Sequence, residues 1–166
     1  MVPEIDYASA DDLEAITDMW VRLARGQRAY GSYVRADENR ATMRETLAAH
    51  LAADGLFVAR VDGDPVGFAS VSVERGALDL EATRGTLSNL YVEPDFRNRG
   101  IGSDLLEAVD AAFSEAGVDV VILEVMADNE AARRFYRSHG FETFRMAMHR
   151  PLEERPENDT HSKEER

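Results

Sequence analysis

Arg97-Asn98-Arg99-Gly100-Ile101-Gly102 lies between a strand-like run, Leu87-Ser88-Asn89-Leu90-Tyr91-Val92, and a helix-like run from Ser103 to Phe113 whose apolar residues recur at helical spacing. Glu93-Pro94-Asp95 breaks the chain between strand and loop. Strand, short glycine loop, helix is the arrangement that aims backbone N–H groups at a phosphate. A backbone approaches a pyrophosphate closely only where no Cβ intervenes, which Gly100 and Gly102 provide. Arg97 and Arg99 add fixed positive charge suited to phosphate oxygens. The loop has neither the Gly-Lys-Ser/Thr of a Walker loop nor the Gly-x-Gly-x-x-Gly of a dinucleotide fold. Taken alone, two glycines at a helix start are equally compatible with a plain tight turn.

A second segment agrees with the anion-binding reading: Asn129-Glu130-Ala131-Ala132-Arg133-Arg134-Phe135-Tyr136-Arg137-Ser138-His139-Gly140-Phe141. Together the two segments resemble the GCN5-related N-acetyltransferase superfamily, which transfers acetyl from acetyl-CoA to amines. The family's loop pattern, Arg/Gln-x-x-Gly-x-Gly/Ala, is met by Arg97, Gly100 and Gly102. Its second signature, Asn, then Ala, then Phe-Tyr, then Gly-Phe, is met by Asn129, Ala132, Phe135-Tyr136 and Gly140-Phe141. The likeness spans residues 4–150 and is strongest over 87–141.

The resemblance implies acetyl-CoA as co-substrate, a primary amine as acceptor and no metal. It implies cofactor contacts from Leu90, Tyr91 and Val92 along a strand, whose amides pair with the pantetheine arm and meet the acetyl oxygen. Arg97, Asn98, Arg99, Gly100, Ile101, Gly102 and Ser103 would seat the pyrophosphate, with Asn129, Ala132, Phe135 and Tyr136 completing the site. Asn129 would hold the pantetheine amide; a helix N-cap is its ordinary alternative. Tyr136 stands where many members of the family place the acid that protonates the departing sulfur. A phenol with a pKa near 10 keeps its proton at neutral pH, as that role needs; the alternative is a core tyrosine packed beside Phe135. Glu124 interrupts the apolar run Val120 to Met126, where a carboxylate is costly unless solvated or partnered. Leu123-Glu124-Val125 followed by Asn and Phe-Tyr is similar to the ribosomal-protein N-terminal acetyltransferases, in which the glutamate is the base. A strand-end glutamate facing solvent, a water relay and an amine arriving neutral all stay open.

The chain has 166 residues, enough for one self-sufficient core, and the expectation is one acetyltransferase domain over 1–150 with a charged, disordered tail over 151–166. It has no cysteine, so disulfides and thiolate chemistry are excluded. The histidines at 50, 139, 149 and 161 lack metal-ligand spacing. No apolar run reaches the roughly 18 residues of a membrane span and no signal pattern opens the chain, which reads as cytoplasmic. With 32 acidic and 19 basic residues the formal charge is −13, and Lys163 is the sole lysine. Such a surface argues against nonspecific nucleic-acid binding. It resembles that of a protein from a salt-loving organism, an ordinary acidic protein from a GC-rich genome being the alternative.

Periodicity predicts strands over 4–8, 56–61, 66–73, 86–92, 118–126 and 141–150, and helices from Ser9 to Arg25, over 37–53, 100–116 and 129–138. Strands first and a strand–helix–strand crossover second give an α/β mixed sheet with helices on both faces. The resemblance adds that 86–92 and 119–126 are parallel strands that splay apart around the cofactor. Tyr30, Tyr33, Glu74, Asp79 and Glu81 are candidates for the amine pocket, and each is also an ordinary loop residue. A catalytically silent acetyl-CoA sensor is the alternative function. The acceptor's identity and the oligomeric state, a homodimer included, are open.

Overall fold

The computed structural model describes residues 2–74 and 78–153; the expected tail falls outside these from residue 154 onward. The chain forms two compact units, the first ending at Glu130 and the second beginning at Ala131.

In the first unit, β1 (Glu4–Tyr7) leads through a short 3-10 turn into α1 (Leu13–Gln27). The Ser9 amide donates to Asp12 Oδ2 at 2.8 Å, closing the first turn, and the same carboxylate oxygen accepts from Arg60 Nη2 at 2.7 Å. α2 (Arg40–Ala52) returns antiparallel-fashion against α1, joined to it by Arg40 and Arg44 on Glu14 and by Arg40 on Asp18. β2 (Leu56–Val61) and β3 (Asp64–Val73) form a hairpin whose turn puts Asp62 at φ 53° and Gly63 at φ 86°, the double left-handed geometry that matches strand twist. β4 (Arg84–Val92), α3 (Ile101–Glu115) and β5 (Val120–Leu123) follow as the crossover unit.

The sheet order is β1-β2-β3-β4-β5, antiparallel up to β4, with β4 and β5 parallel. On one face Ile16, Met19 and Trp20 of α1 and Leu47 of α2 bury Val58, Phe68 and Tyr91, which are cross-strand neighbours. α3 covers the other face, and Gly85 sets its approach: a Cβ there would stand 2.6 Å from the Phe113 ring. At Gly67 the close neighbour of an added Cβ is the Tyr91 carbonyl oxygen of β4, 2.7 Å away. The sequence expectation of a mixed α/β sheet layered by helices holds.

Two expected elements need correction. β5 is four residues long, so Glu124, Val125 and Met126 lie past its end. No strand forms over 141–150. Phe144, Met146 and Met148 do alternate there, but they are 70%, 80% and 91% exposed. An alternating pattern becomes a strand only where a neighbouring strand takes up its N–H and C=O groups, and among the described residues these ten have no ladder.

The second unit takes in α4 (Glu130–Ser138) after its first residue. Gly140 at φ 87° ends that helix, with the Phe141 amide donating to Tyr136 O at 3.0 Å and the Gly140 amide to Arg137 O at 3.1 Å. Among the described residues no helix is long and apolar enough to cross a membrane.

Candidate active site

The site begins where β4 and β5 part. Their parallel pairing runs from Arg84↔Val120 to Leu87↔Leu123 and stops, while β4 continues to Val92 on its other side against β3. A bulge sits at the same point: Ser70 pairs Asn89 and Val71 pairs Leu87, so Ser88 is the extra residue. Asn89 Nδ2 donates to the fully buried Ser70 Oγ at 2.8 Å, fixing the strand just past the bulge.

Ladder alternation decides which amides are free for a ligand. The Glu93 amide donates to Val66 O at 2.8 Å, so in an antiparallel ladder residues 93, 91 and 89 turn their backbone groups toward β3. Leu90 and Val92 therefore turn theirs toward the edge that β5 has left. Of the three residues expected to meet the pantetheine arm, Leu90 and Val92 present backbone to the slot, whereas Tyr91 is committed to β3.

After Glu93 a single 3-10 turn, Pro94–Phe96, swings the chain into the loop. Asn98 adopts φ 63° and Gly100 φ 85°, and nothing lies within 4 Å of a Cβ added at Gly100. Glycine at 100 is thus demanded by backbone conformation and not by crowding. The first full turn of α3 closes with the Asp104 amide donating to Gly100 O at 3.0 Å. The amides of Ile101 and Gly102 precede that bond and point out of the helix end, the geometry that receives an anion. An open strand edge running into an amide-lined turn is a fit for a ligand with an amide-bearing arm and a phosphate end.

The loop arginines are not equivalent. Arg97 Nε donates to the Val92 carbonyl at 2.8 Å, and its guanidinium carbon lies 5.4 Å from the Tyr91 ring centroid. Arg99 lies over Phe96, with 5.6 Å between its guanidinium carbon and the ring centroid. Tyr91 is buried, and burial first, then its hydrogen bond to the Glu93 carboxylate, pushes its phenol above the ordinary range. Glu93 in turn holds Arg22 of α1, Nε to Oε1 3.0 Å. Nothing in the local sequence marks Arg22 as part of this site, because the pair joins residues 71 apart; the interrupted Glu93-Pro94-Asp95 was the available hint.

Glu124 follows directly on the end of β5 and is exposed, so the apolar run it interrupts does not bury it. Asn129 sits half-buried before α4, its amide donating to Met126 O at 3.0 Å. In the second unit, Phe135 and Tyr136 meet edge-on with centroids 5.4 Å apart, and Phe141 closes on Tyr136 at 5.7 Å. Burial pushes the Tyr136 phenol up to about 12. Ala132 is half-buried on the same helix. Among the amine-pocket candidates, Tyr33 is exposed, Asp79 and Glu81 are exposed loop carboxylates, and Glu74 is committed to Arg84.

The model of the Acetyltransferase (GNAT) family matches residues 14–141, and the chain belongs to that family. An N-acetyltransferase of Archaeoglobus fulgidus, itself described as uncharacterized, is 33% identical over 135 residues, 81% of this chain and 90% of the relative. The ribosomal protein bS18-alanine N-acetyltransferase of Salmonella typhimurium is 46% identical over 56 residues, which is 34% of this chain and 38% of that enzyme. Among solved structures, the GCN5-related N-acetyltransferase from Ralstonia eutropha JMP134 superposes with a TM-score of 0.73 at 25% identity, covering 91% of this chain and 99% of that one.

Proposed function

We propose that this chain transfers acetyl from acetyl-CoA to a primary amine by direct attack within a ternary complex, residues 1–150 acting as one catalytic domain. The observation that carries the reading is the parting of β4 from β5 after Leu87↔Leu123, which leaves Leu90 and Val92 on an open edge running into the amide-lined turn at Gly100. In this reading the pantetheine arm adds to β4 like a short strand. The pyrophosphate sits on the turn formed by Asn98, Arg99, Gly100, Ile101, Gly102 and Ser103, and the family's second signature assigns Asn129, Ala132 and Phe135 to the cofactor as well.

Each chemical step then has a residue. The amine must attack as the free base, and Glu124, exposed at the end of β5, takes its proton directly or through water. Charge that develops on the thioester oxygen is met by a β4 amide of the open edge. As the carbon–sulfur bond breaks, Tyr136 gives its proton to the sulfur; a phenol raised to about 12 is fully protonated at neutral pH.

The bS18-alanine enzyme among the relatives makes a peptide with N-terminal alanine the first acceptor to try. Spermidine and kanamycin extend the panel to polyamines and aminoglycosides. The test follows free thiol as acetyl-CoA is mixed with each amine. Thiol release that depends on one of them supports the transferase. Tight acetyl-CoA binding with no amine-dependent thiol, across peptides, polyamines and aminoglycosides, would instead mark a sensor.

A further inference from the structure

The bulge at Ser88 changes which face of the sheet the side chains of β4 meet. Gly85 looks toward α3, since a Cβ there would meet the Phe113 ring, and Leu87 shares that face. Strict alternation would carry Asn89 to the α3 side as well. The extra residue reverses the order. Asn89 instead pairs with Ser70, one row along from Phe68↔Tyr91, whose rings are buried against α1 and α2. That row, Val58–Phe68–Tyr91, is apolar throughout, and the next, Leu56–Ser70–Asn89, turns polar on β3 and β4. Ser70 is fully buried and Asn89 half-buried, Nδ2 donating to Oγ at 2.8 Å. The bond fixes the amide plane, and among the described residues the Asn89 Oδ1 meets no protein donor. Two apolar residues would fill this row at less cost. What the polar pair adds is an amide oxygen held in place on the α1–α2 face.

Glu124 reaches the same face from the other side of the slot. Leu123 pairs with Leu87 in parallel register and shares its α3 face, so alternation turns Glu124, the next residue, to the α1–α2 face. We propose that Asn89 binds the acceptor: its Oδ1 accepts one N–H of the primary amine, with Ser70 as the positioning residue that holds the amide. This rests on the transferase reading above and deepens it. A primary amine carries two N–H bonds and one lone pair. With one N–H on Asn89 and the other toward Glu124, the lone pair is left for the thioester carbon. As the nitrogen–carbon bond forms and the carbon–sulfur bond breaks, the proton facing Glu124 passes to that carboxylate. The hydrogen on Asn89 stays in the product amide, and Tyr136 protonates the sulfur. An amide oxygen accepts an N–H without favouring the ammonium ion, as a carboxylate in its place would. The amine is thereby held and still attacks as the free base.

Two substitutions test this in the full chain, with whichever of an N-terminal alanine peptide, spermidine and kanamycin the wild type acetylates. Asn89→Ala removes the oxygen. The amine KM should rise about tenfold or more, while the calorimetric acetyl-CoA Kd stays within about twofold of wild type. Asn89→Asp keeps the size and the bond, since the Ser70 hydroxyl can donate to a carboxylate, and alters only the charge. The acid limb of its kcat profile should move up by about one pH unit, because the ammonium ion is favoured beside the new carboxylate. A structural role alone would lower the melting temperature and move neither readout. An unchanged amine KM in Asn89→Ala, or an unmoved acid limb in Asn89→Asp, would overturn the assignment. So would an acetyl-CoA Kd that rises as far as the amine KM, which would move Asn89 to the cofactor. Should Asn89→Ala fail to fold, the pH profile of Asn89→Asp decides. A wild-type protein that releases no amine-dependent thiol would remove the transferase reading itself, and this inference with it.

Discussion

Tyr136→Phe tests the chemistry where the structure is most quantitative. Burial holds the Tyr136 phenol at about 12, against an ordinary 10.0. The difference weighs roughly 3 kcal/mol against the phenolate. At pH 10 an ordinary phenol is about half ionised, whereas one at about 12 is roughly 1% ionised. An acid of this kind keeps its proton throughout the working range. Its removal should lower kcat by roughly 10²- to 10⁴-fold, the usual contribution of a positioned general acid. In the proposed mechanism the hydroxyl acts on the departing sulfur, so the acetyl-CoA Kd should change by no more than about twofold, far less than the tenfold that about 1.4 kcal/mol of lost binding would bring. The assay is thiol release from acetyl-CoA with whichever amine of the panel is accepted, measured from pH 6 to 10.5, beside a calorimetric Kd. Wild-type kcat should show no alkaline fall attributable to this residue below about pH 11. An unchanged kcat in Tyr136→Phe would refute the acid role. A wild-type alkaline limb near pH 10 that vanishes in the variant would refute the burial argument while keeping the role. The same shift has a stability consequence: the stability tied to this proton is fully present below about 10 and is lost as pH rises toward about 12.

Glu124→Gln should lower kcat by roughly 10²-fold with little effect on acetyl-CoA affinity; equal turnover by wild type and variant would transfer the base role to water or to an already neutral amine. Asp12 is buried, and its hydrogen bond from Arg60 holds the carboxyl below its ordinary 3.8. The stability it contributes is present above that value and is lost as pH falls through the lowered one. Asp12→Ala should cost roughly 2 kcal/mol in urea unfolding at pH 7 by removing the hydrogen-bonded partner of Arg60 and leaving it only the more distant pull of Asp6 and Glu4, and the gap from wild type should close on acidification; a gap that persists undiminished at pH 2 would assign the loss to packing. With a formal charge of −13, the melting temperature should rise between about 0.1 and 1 M KCl, as the screening length falls from about 10 to about 3 Å. A salt-independent melt would count against adaptation to a saline interior.

How far the sequence reaches differs from element to element. The loop from Arg97 to Gly102 was legible because its constraint is local: Gly100 stands at φ 85°, where other residues are strained, and α3 begins at the next residue. The Asp62-Gly63 hairpin turn is readable for the same reason. So is α1, whose buried Ile16, Met19 and Trp20 share one face. The run from Val118 to Met126 was not legible in its extent. Its apolar residues say that a strand is present, but where the strand stops depends on where β4 ceases to pair with it, at Leu87↔Leu123. The segment 141–150 makes the converse point, since its alternation is genuine and yet no described neighbour completes a ladder.

By itself, then, the sequence determined the strand–loop–helix that can receive a phosphate, the two signatures of the GNAT family, and the acidic character of the surface. Only the tertiary structure decided that β4 has an open edge, that Leu90 and Val92 face it while Tyr91 does not, that Arg97 turns back onto the Val92 carbonyl, and that Glu93 pairs with Arg22 on α1. Conformational preferences act within a few residues and are written locally. Which backbone groups are left unpaired, and which charges are already engaged, depends on partners that only folding brings together, such as Arg22 and Glu93, 71 residues apart.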